Sequence, residues 1–202
     1  MKQNILMFIP SIDDGGVEKN LFLISNYLNE NNFNVEILTC NFDKKNEFNR
    51  NINFLGIKSN FLQNKSKKIK YLFCLTILFF NLLFRKEKTL VFAFQANIYA
   101  VIVAKILNTK VITRSNTAPS GWSRNFIKNN IYKLIIKLAD DVMVNSLEFK
   151  KNFSSNFNID AKCIYNPFNK NFVRKNIKKT KLNTSFFKNN YLKVVSVRRL
   201  TD

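Results

Sequence analysis

The sequence predicts a doubly wound α/β domain built on a parallel sheet. Two observations carry that prediction. Residues 5–28 (ILMFIPSIDDGGVEKNLFLISNYL) read as a short apolar strand, a turn with two glycines and an amphipathic helix, which is how such a domain begins. Short apolar runs then alternate with helical stretches along most of the 202 residues, the pattern expected of β-α units.

Residues 5–9 form an apolar run of the length of a strand buried on both faces, and Pro10 ends it. Residues 11–16 are a turn cluster closing on Gly15 and Gly16. Over residues 17–28, Val17, Leu21, Ile24 and Leu28 fall on one stripe, flanked by Phe22 and Tyr27. Adjacent glycines let backbone N–H groups approach a ligand, and the helix amino terminus favours negative charge there. The same pair also fits a plain tight turn. The fingerprint G-x-G-x-x-G is absent, so a dinucleotide has little support. Residues 29–34 read as a polar turn, 35–40 (VEILTC) as a second strand, 41–51 as a surface loop and 52–57 (INFLGI) as a third strand.

Residues 65–88 are the most unusual stretch. Lys65, Lys67, Lys68 and Lys70 precede an apolar run at 71–84 (YLFCLTILFFNLLF), and Arg85, Lys86 and Lys88 follow it. The run falls short of the roughly 20 residues that cross a bilayer. A buried helix packed on the sheet, a helix lying in a membrane interface and a true span all compete for it. The first two combine in a packed helix whose outer face and basic flanks touch lipid.

The remaining elements follow in order. Residues 89–94 (TLVFAF) are a fourth strand, 95–97 a short turn and 98–107 a compact helix with Ala100 and Ala104 for close packing. Residues 111–113 are a fifth strand running into a polar loop at 114–121 (RSNTAPSG). Residues 125–139 read as an amphipathic helix with Ile127, Ile131, Leu134, Ile135 and Leu138 on one face. A sixth strand at 141–145, a helix at 147–157 and a seventh strand at 162–165 come next, broken by Asn166 and Pro167. Residues 172–190 are basic and aperiodic, and 191–197 (YLKVVSV) open a fresh strand.

Composition bounds the partners. Lys and Arg number 33 against 13 Asp and Glu, a formal charge of +20, which points to nucleic acid or an anionic membrane. Abundant Asn, Lys, Ile and Phe match AT-rich coding, so part of the lysine excess fits codon usage on a solvated surface. The lysines are scattered and no RNA- or DNA-binding signature is present, so nucleic acid is not expected as a partner. The absence of histidine excludes a Cys/His zinc site and a histidine base. Cys40, Cys74 and Cys163 are far apart in sequence and read as reduced, mostly buried thiols of a cytosolic protein. The chain shows no signal-peptide pattern before its first strand.

Six segments carry a family resemblance. SIDDGGVEKN after the first strand is similar to a strand-(G)GG-x-E-[RK] opening, LVFAFQANIYAVIVAKIL to a strand with an alanine-bearing helix, and VITRSNTAPS to a strand with an R-x-S-N loop. ADDVMVNS, CIYNPF and VVSVRRLTD complete the series. Together and in this order they resemble the N-terminal half of a GT-B glycosyltransferase of the family-4, retaining type. The resemblance implies a Rossmann-like acceptor-side domain over 1–170, a basic linker at 171–190 and, at 191–202, the first strand of an otherwise missing donor-binding domain. It implies transfer of a sugar from a nucleotide diphosphate sugar to a polysaccharide or lipid-linked acceptor, with no metal or other cofactor.

Residue by residue, Gly15 and Gly16 match the glycine loop that approaches the donor phosphates. Glu18 matches the acidic residue opening the first helix, and equally suits a carboxylate favoured by the helix dipole. Gln95 and Asn97 after the fourth strand, Arg114, Ser115 and Asn116 after the fifth, and Asn145 and Ser146 after the sixth are the expected substrate-binding residues. No residue is assigned to catalysis. Asn166 and Pro167 are expected to shape an interdomain crossing. Arg198 stands where the family has a glycine, and the E-x7-E carboxylates of the donor site would lie beyond Asp202. The isolated chain is therefore expected to be inactive, with a separate donor-binding chain as one route to completion. The expected setting is cytoplasmic, peripheral at the inner face of the cell membrane, against an anionic surface. A non-catalytic partner subunit and a basic nucleic-acid-binding domain are the alternative functions.

Overall fold

The computed structural model describes residues 2–13, 15–117 and 125–168, with residue 174. The chain divides into two compact units, Met1–Pro167 and Phe168–Asp202, and every element below belongs to the first. Apart from residue 174, the linker expected at 172–190 lies outside the described residues, as do the strand expected at 191–197 and the end of the 114–121 loop.

Seven parallel strands form one sheet: β1 (Asn4–Phe8), β2 (Asn34–Leu38), β3 (Asn53–Leu55), β4 (Thr89–Ala93), β5 (Lys110–Ser115), β6 (Asp141–Val144) and β7 (Lys162–Cys163). Their spatial order is β3-β2-β1-β4-β5-β6-β7. β1 is central, with Asn4 opposite Asn34 and Thr89 and Phe8 opposite Leu38 and Ala93. The expected Rossmann-like, doubly wound parallel sheet is what the chain forms. The strand order reverses between β1 and β4, and in such sheets ligands bind at the carboxyl edge of that reversal.

Both faces of β1 are covered, as its unbroken apolar run requires. Leu6 and Phe8 pack with Cys74, Leu78 and Leu82 of α3 (Lys67–Phe84) and with Ala100 and Ala104 of α4 (Asn97–Ile106). Ile5 and Met7 pack on the other side with Leu21 of α1 (Gly16–Glu30), and with Phe48 and Ile52. Burying each such side chain stabilises the fold by about 1.5–3 kcal/mol. α3 buries Lys70, Cys74, Leu78 and Leu82, one stripe at i+4 spacing. That places the 71–84 run as a helix packed on the sheet. No helix of the described residues is long and apolar enough to cross a membrane.

Several expectations need correction. The 41–51 loop contains a 3-10 turn, Phe42–Glu47, and buries Phe48, whose ring meets Phe22 edge-on at 4.8 Å. A short helix, α2 (Asn60–Gln63), precedes α3. β5 extends through Arg114 and Ser115, expected in a loop, because they pair with Met143 and Val144 of β6. The helix α5 (Phe126–Ile136) buries only Ile136. The stripe of Ile127, Ile131, Leu134 and Leu138 is exposed. Periodicity locates an apolar face without naming what covers it. The helix at 147–157 is α6 (Leu147–Asn152) followed by a π-helical turn, Phe153–Phe157. Cys40 and Cys74, distant in sequence, meet with sulfurs 3.4 Å apart. Both are buried free thiols, and Cys163 is half-buried.

Candidate functional site

The carboxyl edge of the sheet gathers the turns after β1, β4, β5, β6 and β7. The turn after β1 is fixed from three sides. The Ser11 amide donates to Gln95 Oε1 at 3.1 Å, across the strand-order reversal. The Ile12 amide donates to Asn41 Oδ1 at 3.1 Å, and buried Lys70 donates to the same oxygen at 3.3 Å. Asp13 pairs with Lys67 at 2.7 Å. That hydrogen bond holds the Asp13 carboxyl below its ordinary value and Lys67 above its own. Gln95 thus clamps a loop rather than standing free.

Gly15 caps α1 with extended backbone (φ −128°). The end of the Glu18 side chain lies against it: an added Cβ would stand 2.6 Å from Glu18 Oε2, which would have to shift. Glu18 is buried in the first turn of α1, where its charge complements the helix dipole. A Cβ at Gly16 would meet nothing within 4 Å, so Gly16 keeps an open approach to the α1 amino terminus. One turn further, buried Asn20 donates from Nδ2 to Asn166 Oδ1 at 2.8 Å.

Arg114 is the centre of this edge. It is only 1% exposed, in β5. Its Nη2 donates to the Ile164 carbonyl at 3.1 Å and to Asn166 Oδ1 at 3.0 Å, while Nε has no partner. Burial pushes the guanidinium down from its ordinary value, and none of the ion pairs among the described residues involves it. An arginine stays charged in proteins, so among the described residues this buried charge meets only neutral oxygens. Asn97 Nδ2 donates to the Arg114 carbonyl at 3.0 Å, leaving Asn97 Oδ1 buried and unpaired. Asn97 follows Ala96, a non-glycine residue in left-handed conformation (φ 51°), a strained geometry that clusters at functional edges.

The other expected residues divide. Ser115 Oγ donates to the Thr117 carbonyl at 2.9 Å. Asn116 is half-buried beside it. Asn145 Oδ1 is buried without a partner. Ser146 caps α6, its Oγ accepting from the Phe149 amide at 3.1 Å. Asn20, Asn41 and Lys70 were not legible as site residues. Only the i+4 spacing of Asn20 from Gly16 could have suggested the first. Asn97, Arg114, Asn166 and Asn20 are joined by hydrogen bonds, and Gln95 and Gly15 belong to the neighbouring loop.

A cavity of about 1500 Å³ lies at the opposite, amino edge, lined by Lys2, Asn34, Arg85, Lys88 and Lys110 among others. Some of its polar groups bond within the chain: Asn4 bonds Glu87 and Asn34, and Arg85 pairs with Glu36. Three unpaired buried atoms, Asn97 Oδ1, Arg114 Nε and Asn145 Oδ1, stand together at the carboxyl edge, whereas Ser25 Oγ, Asn81 Oδ1 and Asn129 Oδ1 are single atoms on three separate helices, and that grouping makes the edge the stronger candidate. No group of His, Cys, Asp or Glu among the described residues could hold a metal ion.

The same fold recurs in solved structures. Anabaena Alr3699/HepE in complex with UDP matches with a TM-score of 0.57 at 15% identity, over 87% of this chain and 50% of that one. The same protein with UDP and glucose gives 0.56 at 16% identity, over 88% and 50%. With UDP-glucose it gives 0.55 at 16%, over 87% and 50%. What the chain shares with them is the fold. It spans about half the length of the structures it matches. No protein-family model matches the sequence, and no curated protein does.

Proposed function

We propose that this chain is the acceptor-side half of a nucleotide-sugar-dependent glycosyltransferase of the retaining, family-4 type. The observation that carries the reading is the carboxyl edge itself. Asn97 Oδ1, Arg114 Nε and Asn145 Oδ1 are buried without partners at the ends of three adjacent strands. Buried polar atoms are normally satisfied, and a polyhydroxyl ligand offers both donors and acceptors to such atoms. The fold shared with a protein solved around UDP and UDP-glucose supports the same reading.

On this reading the loops after β1, β4, β5 and β6 orient an acceptor hydroxyl on a polysaccharide or lipid-linked glycan. Asn97 and Asn145 make the directional contacts, and Gly16 leaves room for a phosphate-bearing group at the α1 amino terminus. The leaving nucleotide needs positive charge and amide donors, supplied mainly from outside the described residues. The Arg114–Asn166–Asn20 chain holds β5, the exit from β7 and α1 in fixed relation. It positions the edge and need not touch substrate.

The test is an NMR titration of the isotope-labelled chain with oligosaccharides of different terminal sugars, and separately with UDP-glucose. Shifts at residues 15–16, 94–97, 115–117 and 144–146 with a glycan are the expected result. Shifts at the amino edge around Lys2 and Lys110, or none at millimolar ligand, would sink the reading.

A further inference from the structure

We propose that the outer face of the α3–α4–α5 layer docks on an anionic phospholipid bilayer. These helices pack side by side, α3 against α4 and α4 against α5, on one face of the sheet. Their outward side chains are apolar. Leu72 and Phe84 of α3 are 70% and 76% exposed, and Phe80, Ile106 of α4, and Ile127 and Leu134 of α5 are also exposed. Scattered exposed apolar residues are ordinary, but a continuous apolar face marks an interaction surface.

Charge selects the occupant. None of α3, α4 and α5 contains an aspartate or glutamate. Exposed lysines stand at the ends of the apolar faces instead: Lys68 at the start of α3, Lys86 and Lys88 just past its end on either side of exposed Glu87, whose carboxylate is held by Asn4, and Lys128 and Lys137 on and after α5. The layer on the other side of the sheet differs, since α1 carries Glu18 and Glu30. α3 is about 27 Å long at 1.5 Å per residue. An apolar helix face of that length with cations at both ends lies flat at the boundary between headgroups and acyl chains. The lysines then meet the negative surface potential of anionic lipid. The inner stripe of α3 stays on the sheet, so docking needs no unfolding. The inference rests on this surface alone, and its failure would leave the glycosyltransferase reading standing.

The test is sedimentation of the 202-residue chain with vesicles of phosphatidylcholine, and of phosphatidylcholine mixed with phosphatidylglycerol. Binding is expected to the mixed vesicles and to fall as salt rises. Lys86→Glu with Lys88→Glu should cut the partition coefficient at least about tenfold. Leu72→Asn with Phe84→Asn should do the same through lost apolar burial. Lys19→Glu with Lys45→Glu, on α1 and the 3-10 turn, changes net charge equally and should leave partitioning within about twofold at moderate salt. All the altered positions except the controls lie on the proposed face and are exposed, so circular dichroism should stay unchanged. Equal loss in the control pair would assign binding to bulk charge and overturn the proposal. So would absence of binding to both vesicles. A dimer that Leu72→Asn with Phe84→Asn converts to monomer, without effect on lipid, would give the face to a second copy of the chain.

Discussion

Replacing Asn166 by aspartate should make this protein more stable. Arg114 is buried, and its Nη2 lies 3.0 Å from Asn166 Oδ1. Asn20 Nδ2 donates to the same oxygen, so that atom acts as an acceptor only, and a carboxylate oxygen reproduces both bonds. Asn166 itself is exposed, so the second carboxylate oxygen stays hydrated. Two unit charges about 4 Å apart at an effective dielectric of 20 attract by about 4 kcal/mol. Partial desolvation of the new carboxylate takes part of this back, leaving about 1–3 kcal/mol. For a chain of this size that is a rise of roughly 2–12 °C in Tm. Urea unfolding of the Asn166→Asp variant near neutral pH measures it. The sign of the pH dependence is fixed as well. Arg114 would depress the folded pKa of the new carboxyl below its unfolded value of about 3.9. The gain is therefore present above that value and disappears as pH falls through the folded pKa. No gain near neutral pH would mean that the Arg114 charge is already compensated, and the account of this edge would fail.

Further outcomes follow from the same geometry. Gly16→Ala fills open space at the first turn of α1 and should stabilise by about 0.5–1 kcal/mol in urea unfolding, while weakening any ligand that approaches that backbone. Gly56→Ala should cost about 2 kcal/mol or more, because φ is +130° and the new Cβ would lie 2.6 Å from the Thr39 carbonyl oxygen. In the folded protein a thiol reagent should modify Cys163 first, and Cys40 and Cys74 only after unfolding. Between those two, the Cys74 thiol and the Lys70 charge favour ionisation of Cys40, and the Cys74 thiol is pushed up in turn. Asp140 accepts from Lys105 at 2.6 Å and from the Val111 amide at 2.7 Å. Burial opposes its ionised form, yet these bonds hold its carboxyl below the ordinary value. Its contribution is present above the unfolded pKa and lost as pH falls through the folded one. Asp140→Asn should therefore lower stability at neutral pH and flatten the acid limb of a stability–pH curve.

The strands and their order along the chain were legible because apolar runs bounded by turns are a local signal. β1 is the clearest case, where five consecutive buried residues face two cores. The spatial order of the strands was readable only as a class, since pairing joins residues more than eighty positions apart. α5 shows the limit of periodicity, because its apolar stripe is real but faces outward. Arg114 shows the limit of motif reading. In a loop signature an arginine reads as a ligand contact, and only the fold brings up neutral Asn166, far along the chain, to accept from its Nη2. Ser146 likewise reads as a site hydroxyl and serves as a helix cap. Gly15 reads as a point of backbone approach, and the structure adds the Glu18 carboxylate lying against it.

The central place of β1 has a consequence during synthesis. One side of this strand can pair as soon as β2 emerges, but the other waits for β4, whose Ala93 stands opposite Phe8. At translation rates of about 5–20 residues per second the gap from Leu38 to Ala93 lasts roughly 3–11 s. Throughout it the ribosome holds a nascent β1–β2 pair with one raw apolar edge, and the next long segment to appear is α3, itself strongly apolar. The growing chain must be shielded for those seconds, so its yield in a cell should respond to translation speed and chaperone supply more than the finished fold would suggest.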